Sequence, residues 1–270
     1  MPSTLFVETS DHIAEVVLRT PGKGNAMGPD FWRELPETFV SLDADADVRA
    51  IVLRADGPHF TFGLDLISMM GELGGALSGG LADARTKLHE TILRLQASVS
   101  SIARCRKPVI AAIHGLCIGG GVDVTSACDV RLASRDARFS VREVRVAMVA
   151  DLGSLQRLSR IVGEGHAREL AYRGNDIDAE RALRIGLVND VYDTREATWD
   201  AARAMAAEIA QNPPLVVQGV KQVMNERIVS QDEAGLRFVA AWNSAFIPSA
   251  DLGEAMAAFM EKRKPAYSGK

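Results

Sequence analysis

Residues 88–123 constrain the fold more tightly than any other stretch of the chain. Leu88, Ile92, Leu95, Val99 and Ile102 recur at steps of four, three, four and three, which lays one apolar stripe along a helix. Lys107-Pro108 ends that helix, because a proline disfavours helical backbone in the residue before it. Val109 to Ile113 then reads as a short strand, and His114-Gly115-Leu116-Cys117-Ile118-Gly119-Gly120-Gly121-Val122-Asp123 leads through a glycine-rich turn into a new helix. The same alternation precedes it, with a helix-like segment from Asp30 to Leu42 before a β-branched run from Val48 to Leu53. Strands separated by helices imply an α/β fold, and crossover helices imply parallel pairing.

Around this unit, Phe6-Val7-Glu8-Thr9 and Ile13 to Leu18 read as two strands joined at the polar turn Ser10-Asp11-His12. Asp129 to Ala133 reads as another strand. Beyond it the chain turns largely helical, with Ala-rich segments at 179–185, 196–210 and 214–226 and a final segment at 231–262 interrupted at Pro248-Ser249. Ser249 or Asp251 is placed to cap the helix after that break. The stretch Gly71 to Gly80 carries five glycines and reads as a mobile loop, either a wall of a ligand pocket or a solvent-exposed connection.

Two glycine-bearing turns carry chemical meaning. Glycines at 119–121 let a ligand approach the main chain, and the free N–H groups of a helix start favour a developing negative charge. A dinucleotide-binding GxGxxG does not fit, since Val124 stands where its third glycine is needed, and neither a GxxxxGK[ST] phosphate loop nor a GxSxG serine elbow is present. Phe60-Thr61-Phe62-Gly63-Leu64-Asp65-Leu66 is by itself a tight turn before a helix. It becomes half of an oxyanion hole if the N–H groups of Leu64 and Gly120 converge. Asp43-Ala44-Asp45-Ala46-Asp47 begins like a calcium loop but has Val48 at the required glycine and Arg54 at the required acid.

Asp123, Glu143 and Asp151 sit in GGGVDV, FSVREVRV and MVADLGS, among apolar neighbours. Each acid read singly belongs in solvent; read together, inward-pointing carboxylates of this kind acquire raised pKa values and act as acids and bases near neutral pH. A net charge of −4 with dispersed basic residues excludes a nucleic-acid footprint. Cys105, Cys117 and Cys128 and the histidines at 12, 59, 89, 114 and 166 lack metal-site pairing, so reduced thiols and no metal are expected. Pro2, Glu8 and Asp11 do not suit a signal peptide and no stretch reaches membrane-spanning length, so the expected location is cytoplasmic, with no membrane insertion.

Gly24-Asn25-Ala26-Met27, Phe62 to Leu66, Lys107 to Ala112, Gly119 to Asp123, Ala127 to Arg131, Gln156-Arg157-Leu158, Ala182 to Val188 and Phe259 to Pro265 together resemble the crotonase (enoyl-CoA hydratase/isomerase) superfamily over nearly the whole chain. The resemblance implies a crotonase spiral of ββα repeats over 1–195 and a C-terminal helical region over 196–270, assembled as a homotrimer or homohexamer. It also implies an acyl-CoA thioester substrate, with coenzyme A as part of that substrate rather than a separate cofactor. Hydratases of the family carry Glu at the positions of Asp123 and Glu143 and Gly at that of Asp151. Asp, Glu and Asp at these three positions resemble instead the Δ3,5-Δ2,4-dienoyl-CoA isomerase branch. That likeness implies a thioester oxygen between the N–H groups of Leu64 and Gly120, Glu143 as base at C2, Asp151 as acid at C6 and Asp123 as organiser. Ala26, Thr61, Phe62, Gly63, Asp65, Gly119 and Gly121 are the expected substrate-binding residues. Phe62 replaces the small residue of many relatives, so it narrows the pocket or faces elsewhere. The alternatives are hydration of an enoyl-CoA or another crotonase reaction, and a catalytically silent acyl-CoA-binding or assembly subunit.

Overall fold

The chain opens with a hairpin, Leu5–Ser10 (β1) against Ile13–Leu18 (β2), in which Ser10 pairs with Ile13 across Asp11 and His12. Both turn residues have positive φ, 48° and 67°, the backbone of a two-residue turn whose twist matches the strands it joins. Coordinates come from a computed structural model that describes residues 4–20, 24–69 and 82–269. The glycine-rich stretch 71–80 lies outside the described residues.

Helix α1 (Pro29–Ala44) starts on a proline, which has no N–H to leave unpaired there, and buries Phe31, Trp32, Leu35, Phe39 and Leu42 along one stripe. It returns the chain to β3 (Ala50–Ala55), parallel to β2. This strand begins two residues later than the β-branched run from Val48 predicts. Val48 is buried, but its carbonyl accepts from Lys107 Nζ at 2.8 Å instead of joining a ladder. At the other end Arg54 stays in the strand because Glu15 at 2.6 Å and Asp56 at 3.0 Å pair its guanidinium.

The apolar stripe of 88–102 forms helix α2 (Ala82–Arg104), followed by β4 (Val109–Ile113), parallel to β3. With β6 (Val130–Ser134) and β9 (Asp190–Tyr192) the strands make one six-stranded sheet in the order β1-β2-β3-β4-β6-β9, parallel except for the first pair. Side chains alternate between its faces with a period of two. Ile51, Leu53, Val109, Ala111 and Ile113 enter the main core, while Ala50, Val52, Ile110 and Ala112 pack beneath helix α7 (Arg195–Ala210) through Ala202 and Ala206.

A second wall stands on the main-core side. It consists of β5 (Leu116–Ile118), β7 (Arg138–Ser140) and β8 (Ile177–Asp178), extended by single bridges between Thr61 and Cys117 and between Met27 and Leu64. Each circuit of the chain thus leaves a long strand, turns, and contributes a short piece to this wall, which gives the spiral of ββα units. Further helices are α3 (Gly120–Ser126), α4 (Ser154–Val162), α5 (Glu164–Arg173) and α6 (Ala179–Arg184). The C-terminal region holds α8 (Pro214–Phe246) and α9 (Ala250–Met260). The segment predicted at 214–226 and the first part of the one predicted at 231–262 are one helix, and Ser249 caps the next by accepting from Leu252 N–H at 3.1 Å.

Candidate active site

Glycine geometry brings two backbone donors together. Gly63 has φ +84°, and a Cβ there would stand 2.6 Å from the Ile118 carbonyl oxygen and 3.3 Å from the nitrogen of Gly120. From the other side, the Leu64 nitrogen lies 3.9 Å from where a Cβ on Gly120 would be. Leu64 N–H and Gly120 N–H are therefore neighbours, and among the described residues neither donates to a main-chain carbonyl. Thr61 holds the turn in shape: its hydroxyl donates to Asn25 O at 2.6 Å and accepts from Gly63 N–H at 3.0 Å.

The paired donors open on a cavity of about 180 Å³ whose walls come from distant parts of the chain. Leu88, Ile92 and Leu95 of α2 line one side, and Ile247, Leu252 and Met256 from the C-terminal helices line another. A larger void of about 500 Å³ lies between the end of α2 and α8 and contains none of the three acids.

Asp123, Glu143 and Asp151 all line the smaller cavity. Asp123, on α3, is 1% exposed, and its Oδ1 accepts from Ser154 N–H, the first residue of α4, at 2.6 Å. Burial raises its pKa; the Ser154 donors and the Arg157 guanidinium oppose the rise. Glu143 opens a 3-10 turn (Glu143–Val146) that ends on Ala147 in the left-handed region. Its Oε1 is 3.4 Å from the place of a Cβ on Gly119, and its Oε2 is buried without a hydrogen-bond partner. Burial first, then the neighbouring charge of Asp123, pushes its carboxyl up to about 8. Asp151 is pushed up to about 7, chiefly by burial and further by Asp123, against the lowering effect of a hydrogen bond from Asn243.

The other residues singled out in the sequence divide between the cavity wall and its support. Phe62, Gly63 and Gly119 line the wall, whereas Ala26, Thr61, Asp65 and Gly121 do not. Gly121 accommodates Thr61, whose Cγ2 would be 2.5 Å from a Cβ there, and Asp65 Oδ1 caps Ser68 N–H at 3.1 Å. Phe62 is 46% exposed, its ring tilted against that of His59 at 4.9 Å between centroids and set over Gly24, where a Cβ would be 2.1 Å from its ring.

Several contributors escape a reading of motifs. Gln96 Nε2 donates to the main-chain oxygens of Asp151 at 2.8 Å and Leu236 at 2.9 Å, tying α2, the acid loop and α8 together. It falls next to Leu95 on the buried face of α2, so a polar residue on an apolar stripe was its available signal. Arg157 is buried behind Asp123, flat against Gly153 and bonded to Leu152 O at 3.2 Å and Ser100 Oγ at 3.3 Å. Asn243 carries no local signal at all.

Residues 8–270 match the family model described as enoyl-CoA hydratase/isomerase. The chain belongs to that family. It is 44% identical to a mitochondrial Δ(3,5)-Δ(2,4)-dienoyl-CoA isomerase of Dictyostelium discoideum, covering 98% of this chain and 95% of that protein. It is 41% identical to a peroxisomal Δ(3,5)-Δ(2,4)-dienoyl-CoA isomerase of Arabidopsis thaliana, over 96% of this chain and 94% of the relative. Among solved structures, an enoyl-CoA hydratase/isomerase from Pseudoalteromonas atlantica T6c superposes with a TM-score of 0.86 at 26% identity, covering 98% of this chain and 100% of that one. The protein is thus an enzyme of the crotonase family with the crotonase fold. Among the described residues no helix is long and apolar enough to cross a membrane. The names of the two relatives place those proteins in organelles, so the cytoplasmic expectation gains no support from them.

Proposed function

We propose that this protein isomerises 3,5-dienoyl-CoA to 2,4-dienoyl-CoA in the degradation of unsaturated fatty acyl chains. The observation that carries the reading is a third carboxylate, Asp151, lining the same cavity as Asp123 and Glu143, in a chain 44% identical to a dienoyl-CoA isomerase. A hydration site needs one acid-base pair beside the thioester; a proton shift from C2 to C6 needs a second proton-transfer group further along the acyl chain.

In this reading the thioester oxygen accepts from Leu64 N–H and Gly120 N–H, donors in place before the reaction starts. Glu143 takes a proton from C2, the electron pair delocalises as a dienolate onto that oxygen, and Asp151 delivers a proton to C6. The double bonds end conjugated with the carbonyl. Asp123, tied to the start of α4, keeps the acid loop in register. A proton returns from Glu143 to Asp151 before the next turnover, so the reaction neither gains nor loses atoms and calls on no metal or redox group.

The free site orders the two acids the other way, about 8 for Glu143 and about 7 for Asp151. Substrate reverses that order in this mechanism. The apolar chain displaces water from Asp151, which favours its neutral form, while the thioester brings polar groups to Glu143. Values this close also suit a proton that travels between the two groups.

Coenzyme A enters only as part of the substrate, at the mouth flanked by Phe62, with Ala26 and Asp65 nearby in the chain. The homotrimer or homohexamer implied by family resemblance is supported by the exposed apolar side chains of α8, among them Leu215, Val223, Phe238, Trp242 and Phe246.

Incubating the purified protein with a 3,5-dienoyl-CoA tests the reading through the strong absorbance of the conjugated product. Appearance of that absorbance, with little hydration of a 2-enoyl-CoA, is the expected outcome. Hydration without conjugation would replace isomerase by hydratase, and binding without either reaction would indicate a silent acyl-CoA-binding subunit.

A further inference from the structure

We propose that Asn243 is a positioning residue that decides which oxygen of Asp151 carries the transferable proton, so that α8 completes the proton donor. This inference rests on the reading of Asp151 as the acid. Asn243 is 2% exposed, and its Nδ2 donates to Asp151 Oδ2 at 2.7 Å and to Val149 O at 2.8 Å. A main-chain carbonyl accepts and never donates, so the contact with Val149 O fixes the amide with its nitrogen toward the acid loop. Both hydrogens of that nitrogen are then engaged, one on the loop and one on the carboxyl.

Because Asn243 presents only a donor, Oδ2 of Asp151 is held as the acceptor oxygen. The proton of a neutral Asp151 is left on Oδ1, which accepts from no other residue among the described ones and belongs to a side chain lining the cavity. Gln96 holds the same residue through its main-chain oxygen. Two amides, from α2 and from α8, therefore fix the main chain and one carboxyl oxygen while the other oxygen faces substrate.

The charged groups around Asp151 act against Asn243. Asp123 on α3 favours the protonated form, Glu143 in the 3-10 turn is itself raised by the charge of Asp151, Arg157 on α4 acts on Asp123 from behind, and α2 contributes the neutral Gln96. Asn243 gives the larger of the two hydrogen bonds that favour the charged form, the other coming from the main-chain N–H of Asp151 itself. It holds the acid's affinity for its proton down to a level from which delivery to carbon is possible.

The test is the pH profile of diene isomerisation in Asn243→Ala beside wild type, with a carbon-13 titration of the Asp151 carboxyl in both. Activity needs Asp151 protonated, so it falls as pH rises through the pKa of that group. Losing a hydrogen bond to the charged form moves this alkaline limb upward by about one pH unit. With the proton no longer confined to Oδ1, kcat falls about tenfold while KM changes less than about twofold. An alkaline limb and a carboxyl titration that both stay at their wild-type positions, whatever the loss of rate, would overturn the proposal and leave Asn243 a structural residue. If the alanine variant does not fold, Asn243→Leu keeps the volume, removes the donor and is judged by the same two readings. Wild-type protein that does not conjugate the diene, with the titration still shifted in the variant, removes the reading of Asp151 as the acid and leaves Asn243's hold on its proton intact.

Discussion

At the scale of single residues, the chemistry depends on carboxyls kept where they ionise poorly. Replacing the proposed proton donor, Asp151→Asn, is expected to lower diene isomerisation by about a hundredfold or more while the chain stays folded, measured by the conjugated-diene absorbance. Near-normal turnover would take Asp151 out of the mechanism. The same substitution has a consequence for stability. Burial lifts the Asp151 carboxyl from 3.8 to about 7 in the folded chain. A carboxyl raised in this way binds its proton more tightly folded than unfolded. Its favourable contribution is complete below about pH 4 and is lost as pH rises toward about 7. Asp151→Asn removes that dependence. Urea denaturation at about pH 8 should find the variant more stable than wild type by about 1–3 kcal/mol, with the difference vanishing near pH 4. Equal stability at both pH values would mean that the ionised carboxylate is well accommodated in the site.

At the scale of elements, turns and caps set the geometry. Gly63→Ala would bring a methyl within 2.6 Å of the Ile118 carbonyl at a φ of +84°, so the turn must shift and carry Leu64 N–H with it. Loss of one preorganised donor lowers kcat by about a hundredfold or more, and a binding measurement with a non-reactive acyl-CoA analogue should register a much smaller change. An unchanged kcat would show that Leu64 N–H does not meet the developing oxyanion. Ser249 is the cap of α9, which brings Leu252 and Met256 to the cavity wall. Ser249→Ala should destabilise the protein by about 1 kcal/mol in chemical denaturation. A cap at Ser249 or Asp251 was legible beforehand because a capping side chain after a helix-breaking proline uses only local geometry, and the structure decided for Ser249. The continuity of α8 was not, since 33 residues of helix depend on the packing of its sides more than on intrinsic propensity.

At the scale of the whole molecule, α8 has two faces with different partners. One supplies Asn243 and Ile247 to the site, while Phe238, Trp242 and Phe246 stack along the exposed side at centroid distances of 6.2 and 4.6 Å. If subunits pack on that side, Trp242→Glu should shift the sedimentation coefficient toward that of a single chain and reduce isomerase activity with it, because the helix also bounds the cavity. A monomeric wild type would remove the proposed trimer or hexamer. Much of the architecture was legible from periodicity: the stripe from Leu88 to Ile102, the strand from Val109 to Ile113 and the glycine turn at 119–121 appear where apolar spacing and backbone freedom require them. Local sequence also marked the three acids as unusual, since carboxyls among Val, Ala and Gly have few polar neighbours to meet. What a linear pattern does not encode is which side chains meet after the spiral closes. Asn243 reaches Asp151 across 92 positions, Thr61 turns inward to brace Gly63, and the raised pKa values exist only once the packed chain takes the carboxyls largely out of water. The sequence by itself determined the elements and the kinds of groups available for proton transfer. Only the tertiary structure decided which oxygen, donor and wall face one another, because burial and convergence are properties of the packed chain.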